Sequence, residues 1–536
     1  MGDALIPAEV DVHKRKLNDR NSAVALKTGL GAGASKGAWM ASPIIDIHTH
    51  IFSALDIPLE GYLLSRRSER QLPALFDLMI SIFPMPQLFG YVAKRARERC
   101  VTRQLDPDTK RGRFYTLMLW FYGVVADQKF LDWEDSLSSC SEMNAKLLAE
   151  TWRDVDLFVP LMIDYEYWFA NSMDNRLGNQ IDTVFKKVVL PYMGKIHPFV
   201  PFDPARELAY RKARISPDGQ LEGDRPMTLV KEAIEEKGFI GVKLYNSLGY
   251  RPLGNADPAV SLKRRRIAVR NNKLTYLFDG EEYDEVLCEL YDYCVDNEVP
   301  ITAHCVMNGI EAYPGASFDF GKAEFWEDVL KQERYKNLRL NLAHFGWNQA
   351  PYQGFSGEDS WAQEVCDLIV KYDNVYADVS HHRVLTAKGR RSFVDGYRQM
   401  KEYYPDDIDT IKKRILYGSD GHVLRRIRGY RKFLEKYERV LTEAKLFSED
   451  ELENFRGGNA LEFLGLLPGA ESYERLRSFY RANGTTPPAW FGVLDHRIAS
   501  TKEVSPANRE NTTGYGASQA VEESWRKTRA SGPGSH

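Results

Sequence analysis

Two histidines and an aspartate stand at alternate positions in the segment Pro-Ile-Ile-Asp-Ile-His-Thr-His, residues 43–50. The apolar residues around them predict a β-strand, and side chains two residues apart in a strand point to the same face. Asp46, His48 and His50 are therefore predicted to share one face. Two imidazoles on one face can chelate a metal ion, although a His-x-His pair also occurs as an ordinary core or surface pair.

Three further polar residues end later apolar runs. His304 ends the run VPITAH, His344 ends the run NLRLNLAH, and Asp420 follows the run ILYGS. Each has an alternative explanation, since a histidine at a strand end is often hydrogen-bonded in the core and an aspartate before a glycine often forms a turn. Together, four histidines and one aspartate at strand ends form a ligand set that suits zinc and neighbouring divalent metals.

A lysine, Lys243, lies inside the apolar run GFIGVKLYNS. Burial of an ammonium group is costly, and it lowers the pKa of the amine so that the neutral form becomes available. A neutral amine can react with carbon dioxide to form a carbamate, an anionic ligand that can bridge two metal ions. The alternative is a lysine that pairs with an acid or binds an acidic substrate, and the spacing alone favours this alternative.

Short apolar runs, each followed by a polar turn and a helical stretch, recur along the chain. They are apolar or β-branched, as buried parallel strands are. Eight such strands alternating with helices predict an α/β fold, a (β/α)8 TIM barrel whose strands carry the chemistry at their carboxyl ends. The runs are residues 43–50, 155–163, 196–202, 239–245, 299–304, 338–344, 374–379 and 415–419.

The long interval between the first two runs predicts a helical insertion at 54–150, with helices at 85–100 and 111–127. It would lie on the face where barrel active sites are found. It either forms a wall of the pocket or packs without touching substrate. The predicted divisions are a flexible N-terminal tail at 1–42, the barrel at 43–466 with its insertion, and a C-terminal helical extension and flexible tail at 467–536.

The polar residues at the strand ends resemble those of the amidohydrolase superfamily of metal-dependent hydrolases, and most strongly its amidohydrolase-2 branch. The resemblance runs over residues 43–466 and covers all the predicted strands in order. The Lys-Leu-Tyr piece also resembles dihydroorotase-type members, in which the lysine is carboxylated. The matching pieces are Asp46-Ile-His-Thr-His50, Val-Lys243-Leu-Tyr, Thr-Ala-His304, Leu-Ala-His344, Tyr-Gly-Ser-Asp420 and Gly458-Asn-Ala-Leu-Glu-Phe-Leu-Gly-Leu466.

This resemblance implies a divalent metal cofactor, with Zn²⁺ expected and Mn²⁺ or Fe²⁺ as alternatives. One ion or two are both compatible with the residues. In a one-metal site, His304 would join the first group of ligands and His344 would contact substrate. The implied ligands of a two-metal site are His48, His50 and Asp420 for the more buried ion, and His304, His344 and a bridging carboxylated Lys243 for the second.

The implied reaction is hydrolysis of a carbon–nitrogen or carbon–oxygen bond in an amide, cyclic amide, lactone or ester. The metal would supply hydroxide near neutral pH, and a second metal or a histidine such as His344 would polarise the carbonyl. Asp420 would take the proton from the attacking water and pass it to the leaving group. Two alternatives stay open: a single-metal non-oxidative decarboxylase of the same superfamily, and an inactive barrel that serves as a binding or scaffold protein.

Three more histidines follow the last two predicted strands and are candidates for substrate binding: His381, His382 and His422. Since neighbours in a strand face opposite ways, at most one of the first two is expected to point inward. Loop histidines that face water are the alternative. The basic run at 263–266 either attracts an anionic substrate or forms a solvated helix face.

The composition is that of a globular protein, with 43% hydrophobic and 27% charged residues over 536 positions. The net charge of −3 gives no basic footprint for nucleic acid, and the six cysteines include no Cys-x-x-Cys pair for a thiolate zinc site. The longest apolar run, residues 114–126, is too short to cross a bilayer. We expect a cytoplasmic protein that acts on a small-molecule substrate, without nucleic-acid or membrane partners, and that can form a homo-oligomer.

Overall fold

The computed structural model describes the predicted strands and most of the chain between them. The predicted helices at 85–100 and 111–127 lie outside the described residues, as do most of the predicted N-terminal tail and the chain beyond residue 491. The described residues are 42–53, 55–58, 140–170, 175–213, 225–274, 277–307, 309–346, 360–425, 427 and 429–491.

All the predicted strands are present, and each lies within its predicted run. Every strand residue is buried, as expected where helices cover the outside of a parallel barrel and side chains fill its inside. The strands are β1 (Ile45–Thr49), β2 (Leu157–Pro160), β3 (Phe199–Pro201), β4 (Gly241–Leu244), β5 (Ile301–His304), β6 (Leu340–Ala343), β7 (Val375–Asp378) and β8 (Ile415–Leu416).

Parallel pairing arranges the strands in two ladders, one of β1 with β2 and one that runs in order from β3 to β8. Backbone hydrogen bonds join the ladders at both junctions. Between β2 and β3, the Phe158 N–H donates to the Lys195 carbonyl over 2.8 Å. Between β8 and β1, the Ile47 N–H donates to the Tyr417 carbonyl over 3.1 Å. The strands therefore follow one another in a circle in chain order, which confirms the predicted α/β TIM barrel.

Helices alternate with the strands, and their apolar faces join the strands in one hydrophobic core. No helix in the described part of the chain is long and apolar enough to cross a membrane. The helices are α1 (Ser141–Thr151), α2 (Leu177–Val184), α3 (Pro204–Ala213), α4 (Pro226–Glu236), α5 (Pro258–Arg270), α6 (Gly280–Asp296), α7 (Ala316–Phe320), α8 (Glu327–Leu330), α9 (Trp361–Lys371), α10 (Ala387–Tyr403), α11 (Ile408–Lys412), α12 (Gly421–Leu424), α13 (Phe433–Glu443), α14 (Glu449–Glu453), α15 (Asn459–Leu464) and α16 (Glu471–Ala482).

Polar caps determine where the helices on either side of β7 begin. The Ser360 side chain accepts a hydrogen bond from the Gln363 backbone at the start of α9, and the Thr386 side chain accepts one from Gly389 at the start of α10. Such caps satisfy backbone N–H groups that have no partner within the helix. They fix the points at which the chain leaves the loops after β6 and β7.

The described part of the predicted C-terminal extension, residues 467–491, packs near the amino end of β3. The Trp490 Nε1–H donates to the Gly194 carbonyl over 2.9 Å, and the Tyr480 hydroxyl lies 3.0 Å from His197 Nε2. These contacts lie at the opposite end of the strand from the polar residues that the sequence singles out. The extension therefore supports the barrel from the side that carries no candidate ligand.

Asp46 joins β1 to the residues that follow β8. Its Oδ1 accepts a hydrogen bond from the Ser419 N–H over 2.9 Å, and its Oδ2 accepts one from the Ser419 hydroxyl over 2.5 Å. Burial raises the pKa of Asp46 to about 7, while the hydrogen bonds from Ser419 act in the opposite direction. This contact closes the barrel beside His48 and Asp420, two of the candidate ligands that the sequence suggests.

We predict that Asp46→Ala lowers the free energy of unfolding by about 1–3 kcal/mol, because the buried donors of Ser419 lose their acceptor. Chemical denaturation of the full-length chain measures this loss. Asp395→Ala, at a carboxylate that is 67% exposed, is the control and should change stability by less than about 0.5 kcal/mol. Equal losses in the two variants would contradict a role for Asp46 in barrel closure.

Candidate metal centre

Several residues directly after β6, β7 and β8 have positive backbone φ angles. Left-handed conformations are strained in residues other than glycine, and they tend to occur at functional sites. The chain therefore turns sharply at the carboxyl end of each of these strands, and the turn sets the direction of the side chains there. The residues are His344 (φ 67°), Phe345 (58°), His381 (61°) and Asp420 (50°).

His50 and Asp420 face each other across the junction of β1 and β8. The His50 Nδ1–H donates to the Leu161 carbonyl over 2.8 Å, which leaves the lone pair on Nε2. That Nε2 lies 3.7 Å from Asp420 Oδ1, a buried oxygen with no hydrogen-bond partner among the described residues. Burial, together with the neighbouring His48, lowers the pKa of His50 well below its usual value. The lone pair of His50 Nε2 and the unpartnered oxygen of Asp420 therefore face each other.

His48 is anchored by the carboxylate of Asp378 at the end of β7. Its Nδ1 lies 3.0 Å from Asp378 Oδ2 and 3.0 Å from the Ser380 hydroxyl oxygen. The Asn341 Nδ2–H also donates to Asp378 Oδ2, over 2.9 Å. Burial alone would raise the pKa of Asp378, but His48, His344 and the hydrogen bonds to the carboxylate hold it well below its usual value. Asp378 is therefore an ionised carboxylate in the centre of the barrel.

His344 lies beside His48 at the end of β6. Its Nδ1 is 2.8 Å from the Ser380 hydroxyl oxygen, and its backbone N–H donates to Asp378 Oδ1 over 3.2 Å. The ring centroids of His344 and His48 are 4.7 Å apart. Burial, followed by the charges of the nearby histidines, lowers the pKa of His344 well below its usual value. The neutral imidazole is therefore the favoured form.

Lys243, on β4, is buried close to these groups, with 1% of its surface exposed. Its Nζ has no hydrogen-bond partner in the described part of the chain. Burial lowers its pKa to about 8, against the opposing effect of the charges on Asp378 and Asp420. A substantial fraction of the amine is therefore neutral at mildly alkaline pH, which is the form that reacts with electrophiles.

His304, at the end of β5, is engaged with Tyr245. The two rings stack with centroids 4.1 Å apart, and His304 Nε2 lies 3.2 Å from the Tyr245 hydroxyl. Gly309 makes this arrangement possible, because a Cβ at that position would lie 2.6 Å from His304 Nε2. The His304 ring centroid is 5.0 Å from that of His344. The structure therefore places His304 next to the other histidines, with its Nε2 directed at a phenol.

Two of the three histidines that the sequence suggested for substrate binding lie near the centre. His381 Nδ1 is 3.9 Å from Asp420 Oδ2. His422 is buried, and its ring centroid lies 4.6 Å from that of Phe52, which in turn lies 5.5 Å from His50. Both therefore lie on the side of the barrel where His50 and Asp420 meet.

The third of these histidines, His382, occupies a different place. Its ring packs with Phe393 and Tyr437 in an apolar layer, with centroids 6.1 and 6.3 Å away. Its Nε2–H donates to the His344 carbonyl over 3.1 Å. His382 therefore supports the strained backbone of His344 from behind, while His381 faces Asp420.

The basic run at 263–266 begins with two residues that make intramolecular contacts. Lys263 forms an ion pair with Asp319. Arg264 is buried, lies 4.5 Å from the centroid of the Tyr283 ring, and donates to Asn255 Oδ1 over 2.9 Å. These two side chains therefore anchor α5 to its neighbours.

Asp378 and Ser380, which connect the histidines, were not among the sequence-based candidates. The Ser380 hydroxyl donates to Asp378 and lies within 3.0 Å of the Nδ1 atoms of both His48 and His344. A signal was present in the sequence, because Asp378-Val-Ser380 repeats at the end of β7 the alternate spacing of Asp46-Ile-His48 in β1. The prediction at this strand end rests on the histidines alone and does not include the acid and the hydroxyl.

Two overlapping groups in the described part of the chain could hold a divalent metal ion, with ligand atoms in each group within 4.8 Å of one another. In the first group, Asp420 Oδ1 is an unpartnered buried oxygen, and imidazole with carboxylate is a donor set that suits zinc. In the second group, the carboxylate is already occupied by hydrogen bonds. The first group therefore fits a metal better. The groups are His48, His50 and Asp420, and His48, His344 and Asp378.

Solved structures with low sequence identity resemble parts of the chain. A zinc-bound amidohydrolase from Burkholderia multivorans is 12% identical, with a TM-score of 0.35, over 62% of this chain and 91% of its own. A putative metal-dependent hydrolase from Lactobacillus casei is 12% identical, with a TM-score of 0.37, over 79% and 95%. A manganese-bound 5-carboxyvanillate decarboxylase from Novosphingobium aromaticivorans is 14% identical, with a TM-score of 0.34, over 79% and 97%.

The amidohydrolase family model matches residues 218–466. The matched range contains β4 to β8, with Lys243, His304, His344 and Asp420, and it ends where the sequence places the end of the barrel. Strand β1, with its two histidines, precedes it. No curated protein is significantly similar to the chain in sequence. Residues 218–466, a little less than half of the chain, are therefore similar to the amidohydrolase family.

Proposed function

We propose that the chain is a hydrolase that uses a divalent metal ion to cleave a carbon–nitrogen or carbon–oxygen bond in an amide, cyclic amide, lactone or ester. The proposal depends above all on Asp420, whose buried Oδ1 has no hydrogen-bond partner in the described part of the chain and lies 3.7 Å from His50 Nε2. Such an oxygen is free to bind a cation or to accept a proton. We assign His48, His50 and Asp420 to hold the ion, with zinc as the proposed metal.

Asp420 is the proposed general base. A divalent ion in this group would act as a Lewis acid and lower the pKa of a nearby water molecule. Asp420 would take the proton of that water and deliver it to the leaving nitrogen or oxygen. His381, with Nδ1 3.9 Å from Asp420 Oδ2, is positioned to orient the carboxylate during both transfers.

Lys243 is proposed to be carboxylated in the active protein. Its neutral amine would attack carbon dioxide, a nitrogen–carbon bond would form, and one proton would leave to give an anionic carbamate. The pKa of about 8 and the lack of a hydrogen-bond partner in the described structure support this proposal. The carbamate would replace an unpaired buried ammonium with an anion beside His304 and His344, which are the proposed ligands of a second ion.

Aromatic rings form the proposed wall for a small-molecule substrate. The Tyr165 ring lies 6.4 Å from both Phe52 and Tyr245, measured between centroids. Phe52 continues this wall to His422 on the other side. We propose that the apolar part of the substrate packs against these rings, with its reacting bond at Asp420.

A second candidate function is non-oxidative decarboxylation, and one property of Lys243 favours it. An unmodified, protonated Lys243 would present a buried ammonium group without a partner in the described structure. That group would bind a substrate carboxylate by direct charge pairing. In this case a single ion and no carbamate are expected.

We predict about two equivalents of divalent metal per chain in protein purified without chelators, and about one or fewer in Lys243→Ala, because that variant lacks the bridging carbamate. Elemental analysis measures both values. Lys237→Ala, which removes a lysine paired with Asp182 and Glu232, is the control and should keep the wild-type content. One equivalent that Lys243→Ala does not change would contradict the bridging role. Metal-free protein throughout would favour a scaffold.

Asp420→Asn should lower kcat by about 100-fold or more, because an amide cannot accept the proton of the attacking water. Steady-state kinetics on a lactone or amide identified by screening tests this prediction. Metal content determined on the same samples separates the loss of the base from the loss of the ion. Asp395→Asn, at an exposed carboxylate, is the control. An Asp420→Asn variant with wild-type kcat and full metal content would rule out Asp420 as the base.

The two candidate reactions differ in their products. We expect one oxygen atom from the solvent to enter the product when a lactone or amide is turned over in ¹⁸O-labelled water, since hydrolysis adds water across the broken bond. Mass spectrometry detects the label. A parallel screen of aromatic carboxylates monitors the release of carbon dioxide. Turnover of a carboxylate with carbon dioxide release and no hydrolysis of any ester or amide would establish the decarboxylase instead.

A further inference from the structure

Asp378 can only accept hydrogen bonds. Backbone N–H groups can donate but not accept, and two of them, from Ser380 and His344, reach Asp378 Oδ1 over 3.0 and 3.2 Å. The Asn341 amide donates to Oδ2 over 2.9 Å. Together with the Ser380 hydroxyl, these donors stabilise the ionised carboxylate, which has no proton to offer to a neighbour.

His48 must then be the donor in its contact with Asp378. Its Nδ1 lies 3.0 Å from Asp378 Oδ2. Because the carboxylate has no proton, this hydrogen bond requires one on His48 Nδ1. In the neutral form that a metal ligand requires, the single proton of His48 lies on Nδ1, and its Nε2 keeps the lone pair.

Ser380 determines which ring nitrogen of His344 carries the proton. The serine hydroxyl has one proton, and its hydrogen bond to Asp378 Oδ1 uses that proton. Towards His344 Nδ1, 2.8 Å away, the serine oxygen can then only accept. His344 therefore carries its proton on Nδ1, and its Nε2 also keeps a lone pair.

We propose that Asp378 and Ser380 are positioning residues that hold His48 and His344 in the tautomer protonated on Nδ1, so that both Nε2 atoms are available to a metal ion or a substrate. His50 reaches the same tautomer by another route, through its hydrogen bond to the Leu161 carbonyl. A partner on the second ring nitrogen is a general means of orienting histidines that bind metals. The use of the lone pairs rests on the proposed function, whereas the tautomers can be measured without any reaction.

The first test uses the full-length chain labelled with ¹⁵N in histidine, both stripped of metal and loaded with Zn²⁺. Long-range ¹H–¹⁵N spectra distinguish protonated from unprotonated ring nitrogens, and His48→Gln and His344→Gln assign the two signals. We expect protonated Nδ1 and unprotonated Nε2 in both residues. A protonated Nε2 on either histidine in the metal-free chain would overturn the proposal.

The second test removes the hydroxyl. Ser380→Ala should weaken Zn²⁺ binding by about 10- to 100-fold in a calorimetric titration. His344 should then populate the tautomer protonated on Nε2 in part, because the Ser380 carbonyl that remains is 3.3 Å from Nδ1, a longer contact than the hydroxyl at 2.8 Å. Ser380→Thr, which keeps a hydroxyl, should restore both properties. Ser317→Ala removes a buried hydroxyl that donates to Ser247 over 3.1 Å, and it is the matched control that should change neither.

Wild-type Zn²⁺ affinity together with an unchanged His344 tautomer in Ser380→Ala would overturn the role of Ser380. This result would be distinct from a failure of the proposed hydrolysis. If no ester or amide is turned over while the two tautomers are found as expected, the positioning role stands and only the assigned reaction is wrong.

Discussion

The buried carboxylate of Asp378 is the constraint on which the centre of this barrel depends. A negative charge in an apolar interior is costly unless hydrogen bonds surround it, and here donors come from β1, β6 and the residues after β7. These donors can satisfy the charge only if the strands keep their relative register. The same contacts set the rings of His48 and His344. Packing of the barrel and orientation of the site are therefore one requirement rather than two.

The buried aspartates of the barrel differ in how completely their oxygens are used. Asp46 accepts hydrogen bonds from Ser419 on both oxygens, and Asp378 accepts several on each. Asp420, by contrast, has an oxygen that no described group satisfies. Natural proteins rarely leave a buried acceptor unsatisfied, and an exception asks for a reason. The first two carboxylates hold the structure together, and the third is available for chemistry. Lys243 is the comparable case of a basic group, because its buried Nζ has no hydrogen-bond partner in the described part of the chain.

The fold could be predicted because its signal is repeated: each strand is a short apolar run, and each candidate ligand stands at the end of one. The hydrogen-bond partners that orient these ligands could not be predicted in this way, because they come from other strands. The contact of His304 with Tyr245 depends on how β4 and β5 pair, and the contact of His48 with Asp378 joins residues that are 330 positions apart in the sequence. Alternation indicated that only one of two adjacent histidines could point inward. The left-handed turn at His381 decides which one does.

The left-handed backbone at His344, His381 and Asp420 also limits how this centre can change. Asparagine, aspartate, histidine and glycine tolerate such a conformation, whereas β-branched and bulky residues resist it. Replacement of Asp420 by glutamate would thus add strain at this turn and would require room for a longer side chain. Redesign of the proposed metal site at these positions is therefore restricted to the few residue types that accept a left-handed backbone, unless the turns themselves are rebuilt.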